Sequence, residues 1–221
     1  MLVSYLVVLI SAALRDASND AWSKADIQDA IFEGEQAIAL YHPHSTSRDI
    51  TLNLSAGIKQ SLDSGVNPLS HRVLDVKFNV GADGAPGRSV RRVAVADLDA
   101  INPGWRSAAS SSVIREWIYD DREPNLFYVN PPAATDAKAQ VSYSAIPDWP
   151  KSVTATTALT VRNVYMPALI EWALYRLLGH DVEGSVNISR SQQHLQNFAG
   201  MMGISLDMVS SFSPKNPEHK R

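Results

Sequence analysis

The chain has 221 residues, 45% of them hydrophobic and 19% charged, an ordinary globular composition that argues against overall disorder and allows one full core, or a main domain carrying a smaller inserted module. The formal net charge of −3 leaves no basic footprint for neutralising nucleic-acid phosphates, which speaks against sequence-specific DNA binding yet suits a channel wall past which DNA must slide. Cysteine is absent, so neither a disulfide framework nor a thiolate metal site can form.

Residues 2–14 form an apolar run. No Lys or Arg precedes it, no small-residue cleavage site closes it, and about 13 residues are too few to cross a bilayer. It reads as a buried core helix ending near Arg15 and Asp16. After a polar break at 18–20, Ser23-Lys24-Ala25-Asp26 has the form of a helix N-cap followed by an acidic residue that can bond back to it. In the helix that starts there, Ile27, Ala30, Ile31, Ile38 and Tyr41 share one face, and Asp26, Asp29, Glu33 and Glu35 are expected towards solvent. His42-Pro43-His44 stops it, since the residue before a proline is driven out of helical geometry.

From residue 45 the pattern changes to short alternating segments separated by Gly, Pro, Asn and Asp, as in antiparallel β structure. Strands are expected at 51–54, 73–78, 113–119, 126–129 and 139–143, forming a small sheet or sandwich. Asp83-Gly84 is a hairpin turn pair. A short helix is expected within 93–101, ahead of Pro103-Gly104-Trp105.

Helical spacing returns at Asn163, with Pro167 in a first turn that tolerates its missing N–H. Tyr165, Leu169, Ile170, Trp172, Ala173, Leu174, Leu177 and Leu178 make this helix apolar nearly all round, so it needs partners on several sides. A last helix over 187–202 carries Ile188, Leu195, Phe198 and Met202 on one stripe, with Gly203 as its C-terminal cap. The fold class is therefore α+β: a helical bundle built from an N-terminal pair (1–44) and a C-terminal pair (160–212), an inserted antiparallel β module (45–159), and a flexible polar tail (213–221).

Candidate chemistry is sparse. His42 and His44 lack a second ligand cluster at metal-site spacing and read as solvated imidazoles beside a helix stop. His180, next to Asp181, suits a helix C-terminus, where a cation faces the last carbonyls. The Gly81 to Gly87 loop lacks the Lys-Ser/Thr ending of a phosphate cradle. Ser55, Ser110, Ser111 and Ser112 lack the context that exposes a nucleophile. Nothing in the spacing of Asp97, Asp99, Asp120, Asp121 and Glu123 makes any two converge. Arg88, Arg91 and Arg92 are the one local basic cluster, either a charged strand edge or a contact with another subunit or with DNA phosphate in a lumen. Trp105, Trp117, Trp149, Phe127 and Tyr128 are candidate interface anchors, with core filling the stronger reading for Trp117 and Phe127. No catalytic residue, metal or cofactor is expected, and the chain reads as a non-enzyme.

One order of features carries a resemblance. It comprises the segment Ile50-Thr51-Leu52-Asn53-Leu54-Ser55-Ala56-Gly57-Ile58-Lys59-Gln60-Ser61-Leu62, the Asn102-Pro103-Gly104-Trp105 corner, and Pro124-Asn125-Leu126-Phe127-Tyr128-Val129-Asn130-Pro131-Pro132. Tyr143-Ser144-Ala145-Ile146-Pro147, Tyr165-Met166-Pro167-Ala168-Leu169 and the helix from Arg190 to Phe198 complete it. In this order the chain resembles bacteriophage head-to-tail adaptor (connector) proteins. The resemblance implies a helical bundle with a β insertion, assembly with itself as a dodecameric ring between portal and tail or nozzle protein, DNA passing non-specifically through the lumen, no membrane, and a place in the virion neck after assembly in the host cytoplasm. It also implies that the tail residues Pro214, Lys215, Asn216, Pro217, Glu218, His219, Lys220 and Arg221 dock on portal; Arg88, Arg91, Arg92 and Trp105, from the reading of the residues above, are the candidates for contact with a neighbouring subunit or the lumen. The reading from another class is a β-sandwich that binds carbohydrate or peptide on exposed aromatics, with the helices as support. A third is a hydrolase working through the scattered carboxylates.

Overall fold

The computed structural model describes residues 2–62, 70–148, 153–154, 156–180 and 185–205. The chain divides into two compact units, one made of residues 1–42 and 147–221, the other of 43–146.

In the first unit, helix α1 (Val3–Leu14) buries Val3, Leu6, Val7 and Ile10 and ends at Arg15 in left-handed geometry. Helix α2 (Lys24–Tyr41) starts at the expected capping box, with the Ser23 hydroxyl accepting the Asp26 N–H and the Asp26 carboxylate accepting the Ser23 N–H. Helix α4 (Met166–His180) packs against α1, α2 and α5 (Ser185–Met202), as its all-round apolar surface demands. The four helices share one core containing Ile10, Ile31, Ile38, Leu169, Leu174 and Phe198. Each such side chain contributes about 1.5–3 kcal/mol on leaving water.

Four expectations for this unit are corrected. Glu35, placed towards solvent by helical spacing, is wholly buried. Its carboxylate accepts the N–H groups of Thr160 at 2.6 Å and Val161 at 2.9 Å. The expected end of the β module at 159 lies inside this unit, which the chain re-enters at residue 147: Leu159 fills the helical core with Val161, and the Val3 N–H donates to the Thr157 carbonyl at 2.9 Å. An extended strip with buried N–H groups needs an acceptor, and Glu35 supplies it. On α5 the buried stripe is Ser191, Phe198, Ala199 and Met202, while Ile188 is exposed and Leu195 half-buried. His42 is not simply solvated: its Nε2–H donates to the Met202 carbonyl at 2.7 Å, satisfying a carbonyl that α5 leaves open at its C-terminus.

The second unit is a β-sandwich. Strands β1 (Ser47–Asn53), β3 (Ser70–Val80), β4 (Pro86–Ser89) and β8 (Lys138–Ala145) form one antiparallel sheet in the order β1-β8-β3-β4. Strands β2 (Gly57–Ser61), β5 (Arg91–Arg92), β6 (Glu116–Tyr119) and β7 (Leu126–Ala133) form the other in the order β2-β7-β6-β5. Leu52, Val76 and Val141 of the first sheet and Trp117, Phe127 and Val129 of the second lie in one buried cluster between them. Gly84, with φ +81°, makes the turn from β3 to β4.

The module is not purely antiparallel, because β5 and β6 run parallel. A parallel pair needs a long crossover, and the chain provides it through helix α3 (Val95–Ile101), the short helix expected from sequence. The strands β2, β4 and β5 were not separately expected; they are short and carry too few alternating residues to stand out. Pro131 and Pro132 lie inside β7 rather than after it, at the place where the pairing with β2 is interrupted, so their missing N–H groups cost no ladder bond.

Candidate contact site

Strand alternation sorts the aromatic residues of the second sheet. Trp117 and Phe127 face the sandwich core, whereas Ile118 and Tyr128 face the other way, where Leu98 of α3 and Trp105 cover them. Trp105 is thus a core residue, only 1% exposed, and its indole N–H donates to Asp99 at 2.8 Å. Its assignment as a contact to a neighbouring subunit is corrected: the Pro103-Gly104 corner turns the ring back onto the sheet. Trp117 and Phe127 are also buried, and Tyr128 is half-buried. Trp149 and the tail residues 214–221 lie outside the described residues.

The three arginines of the basic cluster part company. Arg88 is exposed on β4. Arg91 pairs with Glu116 on the adjacent strand at 3.2 Å, in a bond whose arginine end is open to water. Arg92 lies over the rings of Trp117 and Tyr119, 5.4 and 5.5 Å from their centroids. It meets there a residue that sequence reasoning passed over. Arg72 of β3 bonds Asp121 at 2.6 Å and lies over the same Tyr119 ring at 5.6 Å. Burial pushes the Tyr119 phenol up from its ordinary value, an effect that the neighbouring Arg72 opposes. Arg72, Arg92, Tyr119, Asp121 and His44 line a concavity of about 270 Å³. Arg72 and Arg92 are brought together because the β3–β4 hairpin continues through the Val90 N–H to Lys77 carbonyl bond and the chain then passes directly into β5 of the other sheet.

Four of the five acidic candidates are engaged one by one, while Asp97 is exposed. Asp99 is held below its usual range first by Arg106 and then by the Trp105 indole. Asp120 is held down by Arg122, which it bonds at 2.8 Å. Asp121 belongs to Arg72, and Glu123 accepts the Tyr128 hydroxyl at 3.4 Å. Among the described residues, no three His, Asp or Glu side chains form a group able to hold a metal, and no helix is long and apolar enough to cross a membrane.

The chain thus combines helices flanking a β-sandwich with ion pairs and arginine–aromatic contacts on the sandwich. The family model described as SU10 adaptor protein matches residues 6–217. The chain belongs to the SU10 adaptor protein family. No curated protein matches it. As an SU10 adaptor protein it has a structural role in a phage virion and interacts with other head and tail proteins. The family match extends across both units, so the β-sandwich is part of the adaptor and not an appended module.

Proposed function

We propose that this adaptor is a ring-forming subunit of the head-to-tail connector, seated between portal and tail and continuing the channel through which DNA leaves the head. The observation that carries this reading is the family match over residues 6–217. The physical character of the chain supports it. A net charge of −3 keeps a lumen wall from gripping a polyanion. A ring needs two different complementary faces on each subunit, and a chain with two compact units has distinct surfaces to supply them. The protein works by contact surfaces and carries out no catalysis. Its partners are further copies of itself, in a dodecameric ring, together with portal and a tail or nozzle protein; assembly takes place in the host cytoplasm.

Within this reading, the polar residues 214–221 dock on portal. Arg88 and Arg91 serve contacts with the neighbouring subunit or the lumen. The test is to mix purified chain with portal and image the product by electron microscopy. The expected result is a ring of this subunit against one face of portal; a chain that stays monomeric and unattached would refute the proposal. Removing the residues after Ser213 is expected to weaken attachment, and undiminished attachment would assign docking elsewhere.

A further inference from the structure

We infer that the concavity formed by Arg92, Arg72, Tyr119, Asp121 and His44 is a binding site for a single carboxylate side chain presented by another polypeptide, with Arg92 as the residue that pairs with it. The source of the carboxylate, a protein partner in the connector, rests on the adaptor reading above; the site itself does not.

Arg92 is the decisive residue. Its side chain has no carboxylate and no hydrogen-bond partner among the described residues, whereas Arg72, the other arginine of the concavity, is paired with Asp121. Yet it is held in place. Its guanidinium carbon lies 5.4 and 5.5 Å from the centroids of the Trp117 and Tyr119 rings, two cation–π contacts that leave its N–H groups available. A planar fork whose position is already set loses little entropy on accepting two carboxylate oxygens side by side. The platform is rigid as well: Trp117 is buried in the sandwich core, and Tyr119 is clasped on its other partner, Arg72, whose own charge is answered by Asp121.

Size and charge select the ligand. A concavity of about 270 Å³ accommodates one side-chain head group rather than a strand of nucleic acid. Asp121, bonded to Arg72 at 2.6 Å with its side chain 76% exposed, lines the same concavity. A single carboxylate can pair with Arg92 while avoiding Asp121, and the His44 imidazole offers a further polar contact at the rim. A DNA strand would bring a row of phosphates against Asp121 and against a chain of net charge −3. A lone free guanidinium suits one carboxylate and is poorly matched to a polyanion.

The experiment uses the full chain in solution, without portal, and follows the Arg92 Nε–Hε and Tyr119 ring resonances by NMR. Three probes are added at equal ionic strength: the blocked peptide acetyl-Gly-Glu-Gly-amide, dimethyl phosphate, and a short DNA duplex. The expected result is a saturable shift of both resonances with the glutamyl peptide, lost in Arg92→Ala and retained in Lys59→Ala, which removes an exposed cation of β2. Dimethyl phosphate and the duplex are expected to give weaker shifts. No response to the peptide in the folded wild-type chain would overturn the site, and a stronger response to the duplex would reassign it to DNA. Portal is absent and the chain is kept monomeric by dilution, checked by its solution mass, so neither outcome depends on ring formation.

Discussion

The buried carboxylate of Glu35 and the backbone of Val161 meet at 2.9 Å although they lie 126 positions apart. This bond, with its companion to Thr160, closes the first unit by pinning the extended segment that returns from the β-sandwich onto α2. A charge with no exposure is tolerated there because the N–H groups it accepts would otherwise be left without partners.

Replacing Glu35 by Leu is therefore expected to cost about 2–4 kcal/mol, since the apolar side chain leaves the Thr160 and Val161 N–H groups without an acceptor. Glu35→Gln keeps an acceptor of the same shape and should lose less. Urea unfolding curves of the two variants check the order; a Leu variant as stable as wild type would show the carboxylate to be dispensable.

Asn79 plays a similar part in the β-sandwich. Its amide nitrogen donates to the carbonyls of Arg88 and Ile114, both at 2.8 Å, and its oxygen accepts the Ile114 N–H at 2.7 Å. The side chain thereby ties β3 to the segment entering β6. Asn79→Ala removes all three bonds and should destabilise the protein by about 2–4 kcal/mol. Asp in its place can accept the Ile114 N–H but cannot donate to the two carbonyls, so Asn79→Asp should not restore stability; thermal unfolding of both variants tests this.

Trp105 and Arg88 make a contrasting pair. Truncating Trp105 to Ala opens a void beneath α3 and is expected to cost about 3–5 kcal/mol. Arg88→Ala, on an exposed edge, should change stability within about 0.5 kcal/mol. The comparison is read from unfolding of the isolated chain. If Trp105→Ala were as stable as wild type and defective only in assembly, the burial argument would fail.

Acid should loosen the first sheet through Asp49. Hydrogen bonds from Lys77 and from the Ser142 hydroxyl hold its carboxyl below the ordinary value of 3.8. A carboxyl depressed in the folded state contributes stability that is complete above the unfolded value and lost as pH falls through the folded one. The loss should thus develop below about pH 4, and Asp49→Asn should flatten that part of the stability profile. Its side chain is 49% exposed, so water screens the pair and the effect should be modest. An unchanged acid limb in the Asn variant would assign the loss to other carboxyls.

The helices were legible in the order of residues because each is written in local terms. The Ser23-Asp26 cap, the run from Val3 to Ile10 and the all-round apolar pattern of Leu169 to Leu178 specify helix start, buried face and number of neighbours without reference to distant parts of the chain. The existence of a β insertion followed in the same way from alternation. The fate of single polar and aromatic side chains did not. Glu35 looked like a solvent residue by spacing, and Trp105 like a surface anchor by its setting in a polar corner. Arg92 looked like a member of an arginine cluster, until folding separated it from Arg88 and Arg91 and laid it over Trp117 and Tyr119. Each of these fates is settled by a partner far away in the chain, such as Val161 for Glu35 or Tyr119 for both Arg72 and Arg92. Periodicity reports which face a residue occupies, whereas the identity of what meets that face is a property of the assembled layers.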